Sequence, residues 1–380
     1  MQRRTEGPPS RTCGAGAGIG PSAEPLSDRF ARHRRIPGWD QGRLTGATLV
    51  VAGMGALGNE VTRILAMTGV GRLILCDPDR IEPSNLSRTL LFRDRDVGCL
   101  KVEAAAAALR ELAPGVQVDP RPRSLVQGVG LAELRDAALV LGCLDNRRAR
   151  LQLAGRCGLV RAPSIDGGTH PWGGEVRLHL NPDGPCYGCS LTAAERAVDD
   201  TPWSCTSQTP LPAEGTAAPS SALVGAWMAL FAVRHLLGSS TPPGILRLDG
   251  GRGSAGMLAQ RRDPECPYHQ PLDFPLRRVS LGSADRVADL RALIAPGEQP
   301  LLWDGVQYGL QCRVCGFTAT AWQLPAPAAC PACGRPAVPK QTLELMEAPA
   351  GALLADLGVP PREILPVRSA DGFYLLELMG

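Results

Sequence analysis

The sequence predicts an α/β fold with a doubly wound, mainly parallel sheet, and three observations support this. Short apolar runs alternate with helical patterns between residues 47 and 145. A glycine-rich turn follows the first of these runs. Acidic residues close two of the later runs, at Asp77 and Asp145. Strands that alternate with helices in this way form parallel sheets with right-handed crossovers.

The elements are expected in this order. Ala47–Ala52 is a β-rich strand. Asn59–Met67 has helical periodicity, and Arg72–Cys76 is a second buried strand. Lys101–Leu112 is Ala-rich and helical, and Leu139–Leu144 is a further strand. Glu175–Leu180 alternates apolar and polar residues, as a half-exposed strand does. Thr192–Ser221 is rich in Ala, Thr, Ser and Pro and is expected to be a mobile crossover loop, before a helix over Ser221–Leu237. The composition shifts near Pro271. Four segments result: a disordered tail over 1–25, a main domain over 26–272, a linker and small module over 273–340, and a tail or cap over 341–380.

Composition excludes several classes. Hydrophobic residues make up 44% of the 380, enough for a packed core. The net charge of +3 argues against a dedicated nucleic-acid surface. No apolar run is long enough to span a membrane, and the polar N-terminus lacks a signal-peptide core. A cytoplasmic protein is expected. Lys occurs only at Lys101 and Lys340, so a Lys inside a motif is informative.

The glycine turn reads Gly53-Met54-Gly55-Ala56-Leu57-Gly58. Glycines there permit a tight turn, and the helix that follows offers free N–H groups to phosphate. Asp77 stands 19 residues after Gly58, at the end of the second strand, where a carboxylate can hold ribose hydroxyls. Taken alone, this pattern suits a dinucleotide-binding dehydrogenase equally well. The charged residues around it do not. Asn85-Leu86-Ser87-Arg88 follows Asp77, Lys101 opens the next helix, and Asp145-Asn146 ends a later strand. Cations at strand ends suit a nucleoside triphosphate, which a dehydrogenase does not bind.

The thirteen Cys include three Cys-x-x-Cys pairs: Cys186/Cys189, Cys312/Cys315 and Cys330/Cys333. Without a secretory signal such pairs indicate metal rather than disulfides. The last two pairs are 14 residues apart, and Gly follows the second Cys of each. That pattern describes a structural zinc ribbon with four protein ligands.

Taken in order, Arg29-Phe30-Ala31-Arg32, the glycine turn, Asp77-Pro78-Asp79, Asn85-Leu86-Ser87-Arg88, Val97-Gly98 with Lys101, and Leu144-Asp145-Asn146 resemble the MoeB/ThiF/HesA family. This family is related to the adenylation domains of ubiquitin-activating enzymes. The resemblance covers about residues 28–270. It implies ATP-dependent adenylation of the C-terminal carboxylate of a ubiquitin-like or sulfur-carrier protein. Such partners commonly end in Gly-Gly. By position, Gly53, Gly55 and Gly58 would cradle the nucleotide and Asp77 would bind ribose. Asn85, Arg88 and Lys101 would contact phosphates, and Asp145 would hold Mg²⁺. Arg32 would reach the phosphates of the second subunit in a homodimer. A first zinc site would combine Cys186 and Cys189 with Cys266 and His269, where the family usually has a fourth Cys. Cys205, in Trp203-Ser204-Cys205, matches a position at which some members carry an acyl-accepting thiol. Adenylation of a short peptide, or a non-catalytic scaffold of the same fold, would fit the same segments.

Overall fold

The structure is a computed structural model that describes residues 29–197, 215–323 and 328–380. Cys205 and most of the expected crossover loop lie outside the described residues.

The first sheet is built in chain order. Helix α1 (Gln41–Thr45) leads to β1 (Thr48–Ala52), α2 (Ala56–Met67), β2 (Arg72–Cys76), α3 (Lys101–Leu112) and β3 (Gln117–Arg121). Then come α4 (Leu125–Gly128), α5 (Leu131–Asp136), β4 (Leu139–Gly142), α6 (Arg147–Val160), β5 (Ser164–His170) and β6 (Gly173–His179). Short α7 (Ala193–Arg196), long α8 (Ala218–Leu236), β7 (Gly244–Asp249) and β8 (Ser254–Leu258) complete it. The strand order is β3-β2-β1-β4-β5-β6-β7-β8. Pairs from β3 to β5 are parallel, and pairs from β5 to β8 are antiparallel. The chain therefore reverses winding direction beside β1, which opens a crevice at the strand ends where α/β sheets bind ligands.

Burial explains the strand choice. Leu49, Val50 and Val51 of β1 and Leu73, Ile74 and Leu75 of β2 are almost fully buried, as strands covered on both faces must be. One face packs on α2, α3 and α8 through Val61, Leu65, Val102, Leu109 and Met228. The other packs on α5 and α6 through Leu131, Leu134, Leu153 and Cys157. Cys76, Cys143 and Cys157 are buried, and burial pushes their thiols far above the ordinary range. They act as small hydrophobes.

The second sheet comes from β9 (Leu276–Val279), β10 (Gln299–Gln311), β11 (Thr318–Gln323), β12 (Ala328–Ala329), β13 (Pro336–Glu344), β14 (Ile364–Ser369) and β15 (Gly372–Leu378). Its order is β12-β13-β10-β14-β15-β9, with β11 on β10. The segment 341–380, expected to be a tail or cap, supplies two central strands to the same sheet as the ribbon. Helix α9 (Val287–Leu293) packs into this module's own core through Val287 and Leu290.

The module is bolted to the α5–α6 face. Ile364 and Leu375 join the apolar layer beneath the first sheet. The Leu131 N–H donates to Glu363 at 3.1 Å, and the Arg135 guanidinium meets Glu377 at 2.7 Å. No described helix is long and apolar enough to cross a membrane.

Candidate active site and metal centres

The site grows out of the turn after β1. Gly53 has φ +93°, and a Cβ there would lie 2.3 Å from the Cys143 carbonyl oxygen. A Cβ on Gly58 would lie 2.0 Å from the Gly53 carbonyl oxygen. Both positions therefore require glycine, one for its dihedral and both for close packing. Gly55 differs. It precedes α2, and a Cβ there would meet nothing within 4 Å. Only Gly55 of the three lines the cavity beyond.

That cavity holds about 580 Å³. Gly55, Asn85, Arg88, Lys101 and Asp145 all line it, at the carboxyl ends of β1, β2 and β4. Segments separated by up to 90 residues in sequence thus converge on one crevice (Gly55 to Asp145). Lys101 opens α3 and its ammonium sits 2.8 Å from Asp79 Oδ2. The Arg88 guanidinium donates to the Ser84 carbonyl at 2.8 Å. Asn85 Oδ1 accepts from the Glu82 N–H at 3.0 Å. Asp145 is exposed, and its neighbour Asn146 donates to it at 3.1 Å. An exposed carboxylate facing a cavity is chemically suited to a hard cation such as Mg²⁺.

Asp77 is placed differently. It is buried at the end of β2 and does not line the cavity. Its Oδ2 accepts from the Met54 N–H at 2.7 Å and its Oδ1 from the Asp79 N–H at 2.8 Å. Burial pushes its carboxyl up, against the pull of Lys101 and those two N–H groups. In this structure it holds the glycine turn in shape. Arg32 is exposed near the N-terminal 3₁₀ turn and does not line its own chain's cavity. The Arg29 guanidinium donates to the Leu112 carbonyl at 2.7 Å, which gives it a structural role.

Three residues at the site were not singled out by the sequence. Asn59 is fully buried. Its amide donates to the carbonyls of Met54 and Gly55, and its Oδ1 accepts from the Leu91 N–H, at 2.9, 3.0 and 3.0 Å. It ties the glycine turn to the segment that carries Asn85 and Arg88. Arg150 of α6 and Thr169 of β5 also line the cavity. Asn59 had a findable signal, an amide in the first turn of a helix after a glycine turn. Arg150 lies in an Arg-rich helix and had none.

Two groups of side chains are arranged so that each could hold a metal ion. Ligand atoms of Cys186, Cys189, Cys266 and His269 all lie within 4.8 Å of one another, as do those of Cys312, Cys315, Cys330 and Cys333. Sulfur separations are 3.6 and 3.9 Å in the first set and 3.6 Å across two pairs of the second. Disulfide sulfurs stand about 2.05 Å apart. Thiolates bound at about 2.3 Å to one tetrahedral ion stand close to 3.8 Å apart. The chemistry and spacing fit zinc with no open position. Backbone N–H groups of Cys315 and Val314 hold the Cys312 thiol down at about 6, which favours the ligating thiolate.

A model of the ThiF family matches residues 28–268. The chain belongs to the ThiF family. The molybdopterin-synthase adenylyltransferase of Escherichia coli K12 is 31% identical over 244 residues, covering 63% of this chain and 94% of that relative. The sulfur carrier protein adenylyltransferase of Thermus thermophilus is 32% identical over 260 residues, covering 63% of this chain and 89% of that relative. The SAMP-activating enzyme E1 of Haloferax volcanii is 35% identical over 170 residues, covering 44% of this chain and 63% of that relative. Among solved structures, the microcin C7 biosynthetic enzyme MccB in complex with N-formylated MccA superposes with a TM-score of 0.53. That pair is 21% identical, with 64% of this chain and 76% of the other covered, a likeness of fold alone. The ThiF match ends before β9, so the second sheet is an addition to the family domain.

Proposed function

We propose that this ThiF-family protein is an ATP-dependent adenylyltransferase acting on the C-terminal carboxylate of a ubiquitin-like or sulfur-carrier protein. One observation carries the proposal: Asn85, Arg88, Lys101 and Asp145 line a single cavity with Gly55. The names of the relatives support the same chemistry.

A carboxylate that attacks the α-phosphate meets strong charge repulsion. Arg88 and Lys101 supply fixed positive charge, and Asn85 supplies an amide. Asp145 would hold Mg²⁺, which when bound neutralises phosphate charge. The attacking carboxylate is already ionised at neutral pH, so no base is required. Catalysis then consists of positioning and electrostatic stabilisation.

Arg32 would act in the cavity of a second copy, which makes the active form a homodimer. The two cysteine centres would each hold a structural Zn²⁺. The partner would present a narrow Gly-Gly end in the cytoplasm. Titration calorimetry with MgATP is the first test, followed by exchange of labelled pyrophosphate into ATP with sulfur-carrier proteins ending in Gly-Gly. Binding and partner-dependent exchange are expected. A protein that ignores ATP would remove the proposal and leave a non-catalytic scaffold.

A further inference from the structure

A cavity of about 410 Å³ lies where the added sheet meets the ThiF domain. It shares no lining residue with the cavity proposed for the nucleotide. Its volume falls in the range of small-molecule sites, about 300–1,000 Å³. Helix α6 supplies one wall with Arg148, Gln152, Arg156 and Leu159, spaced four, four and three residues apart. That spacing puts them on one face of the helix. β10 supplies Trp303 and Asp304. Consecutive strand residues normally point to opposite faces. Here the register against β13 shifts between Leu301 and Val306, which lets both line the cavity.

The apolar part of the lining is aromatic. The Trp303 indole is fixed by donating to the Ile364 carbonyl at 2.7 Å. The Tyr268 ring also lines the space, close against α6, where a Cβ on Gly155 would stand 3.2 Å from it. The polar part is charge-balanced. Arg156 pairs with Glu363 at 2.7 Å, and Arg196, also in the lining, pairs with Asp263 at 2.8 Å. Arg148 Nη2 faces Asp304 Oδ1 at 3.8 Å, a contact too long for a hydrogen bond. The Gln152 amide stands 3.5 Å from the other Asp304 oxygen. Nε and Nη1 of Arg156, a residue only 5% exposed, have no partner among the described residues. Buried donors left empty are costly.

Ligand charge can be decided from this lining. An inorganic anion would leave most of the volume empty and would face Asp304. A cation would face three guanidiniums. A zwitterion meets neither penalty. The ammonium and carboxylate of an α-amino acid hang from one carbon, which matches the short separation of Arg148 and Asp304. We propose that this cavity binds a free aromatic α-amino acid. Its carboxylate accepts from Arg148 and Arg156, its ammonium donates to Asp304, and its ring lies against Trp303. The ThiF domain alone could not form the site, because Trp303 and Asp304 belong to the added sheet. Binding here is independent of adenylation.

Titration calorimetry on the full chain tests this with L-phenylalanine and L-tryptophan. L-Leucine, 3-phenylpropanoate and phenethylamine serve as comparisons; the last two each lack one half of the zwitterion. At least one aromatic amino acid should bind about tenfold or more tighter than each comparison compound, the scale of one hydrogen bond to a charged group. Asp304→Asn should weaken that amino acid about tenfold and leave 3-phenylpropanoate within about twofold, because only the ammonium loses its partner. A merely structural role for Asp304 would move both ligands together. If the asparagine variant fails to fold, Trp303→Leu decides the matter and should also weaken the amino acid. Failure of both aromatic amino acids to bind at about 10 mM, which would fill a site of about 1 mM affinity, overturns the assignment. Equal affinity for any comparison compound does the same. So does an Asp304→Asn variant that weakens both ligands alike, or a Trp303→Leu variant with unchanged affinity.

Discussion

Arg156 and Glu363 form an ion pair at 2.7 Å with both side chains at least 95% buried, one on α6 and the other just before β14. It joins the ThiF domain to the second sheet. Glu363 also accepts from the Leu131 N–H at 3.1 Å, while two nitrogens of Arg156 have no partner among the described residues. Burial pushes the Glu363 carboxyl up, and Arg156 opposes that shift.

Removing one member should therefore cost more than removing both. Glu363→Ala strands a buried guanidinium and is expected to lose about 3–5 kcal/mol. The double change Arg156→Met, Glu363→Met should recover most of that loss. Urea unfolding of the four proteins in a double-mutant cycle measures the difference. Equal, additive losses would show that the two residues act independently.

The neighbouring contact predicts an acid limb. Hydrogen bonds from Arg135, and then from Arg278, hold the Glu377 carboxyl below its ordinary value of 4.5. Its pKa falls on folding, so its stabilisation is fully present above about pH 4.5 and is lost as pH drops through the folded value. Wild type and Glu377→Gln should have urea midpoints that differ most at neutral pH and converge towards pH 3. Loss of bound zinc at low pH would affect both proteins and cancel in the difference. A constant gap across the range would contradict this role for Glu377.

Much of the ThiF domain was legible because its signals are local. The expected Arg72–Cys76 strand and Lys101–Leu112 helix match the observed elements residue for residue. Apolar runs, a charged first turn and flanking glycines mark their ends. The expected Leu139–Leu144 strand stops at Gly142, where the chain turns towards Asp145. The second sheet was not legible, because its central pairing is distant. β9 runs parallel to β15, with Leu276 opposite Leu375, and no local pattern encodes that register. Arg150 was hidden for a related reason. It is placed by its ion pair with Asp166, which a distant strand supplies.

The glycine turn separates two kinds of damage. Gly58→Ala places a Cβ 2.0 Å from the Gly53 carbonyl and should cost roughly 3 kcal/mol in unfolding free energy. Gly55→Ala meets open space, so stability should hold while the cavity entrance narrows and ATP binding weakens. Thermal unfolding and MgATP titration on both variants test this. Equal melting temperatures would refute the packing assignment.

Lys101 tests the electrostatics. Its ammonium pairs with Asp79, and that aspartate is largely exposed, so little stability depends on the pair. Lys101→Ala should leave the melting temperature nearly unchanged and weaken MgATP binding about tenfold or more, as loss of a charged phosphate contact does. Unchanged affinity would place the triphosphate elsewhere.

Zinc bound as proposed would matter more to the ribbon than to the ThiF domain. Its apolar cluster consists of Leu310, Cys312, Cys330 and Ala337, with Phe317 packed against it. Two of these residues are themselves proposed ligands, so the cluster would offer little burial without the ion. Native mass spectrometry should find two zinc ions in the wild type and one in Cys330→Ser. The variant should lose the β12–β13 region locally, with faster amide exchange there, yet keep MgATP affinity, because no described ribbon residue lines the cavity proposed for the nucleotide. Loss of both metals, or of ATP binding, would show that the two sheets do not fold independently around their own centres.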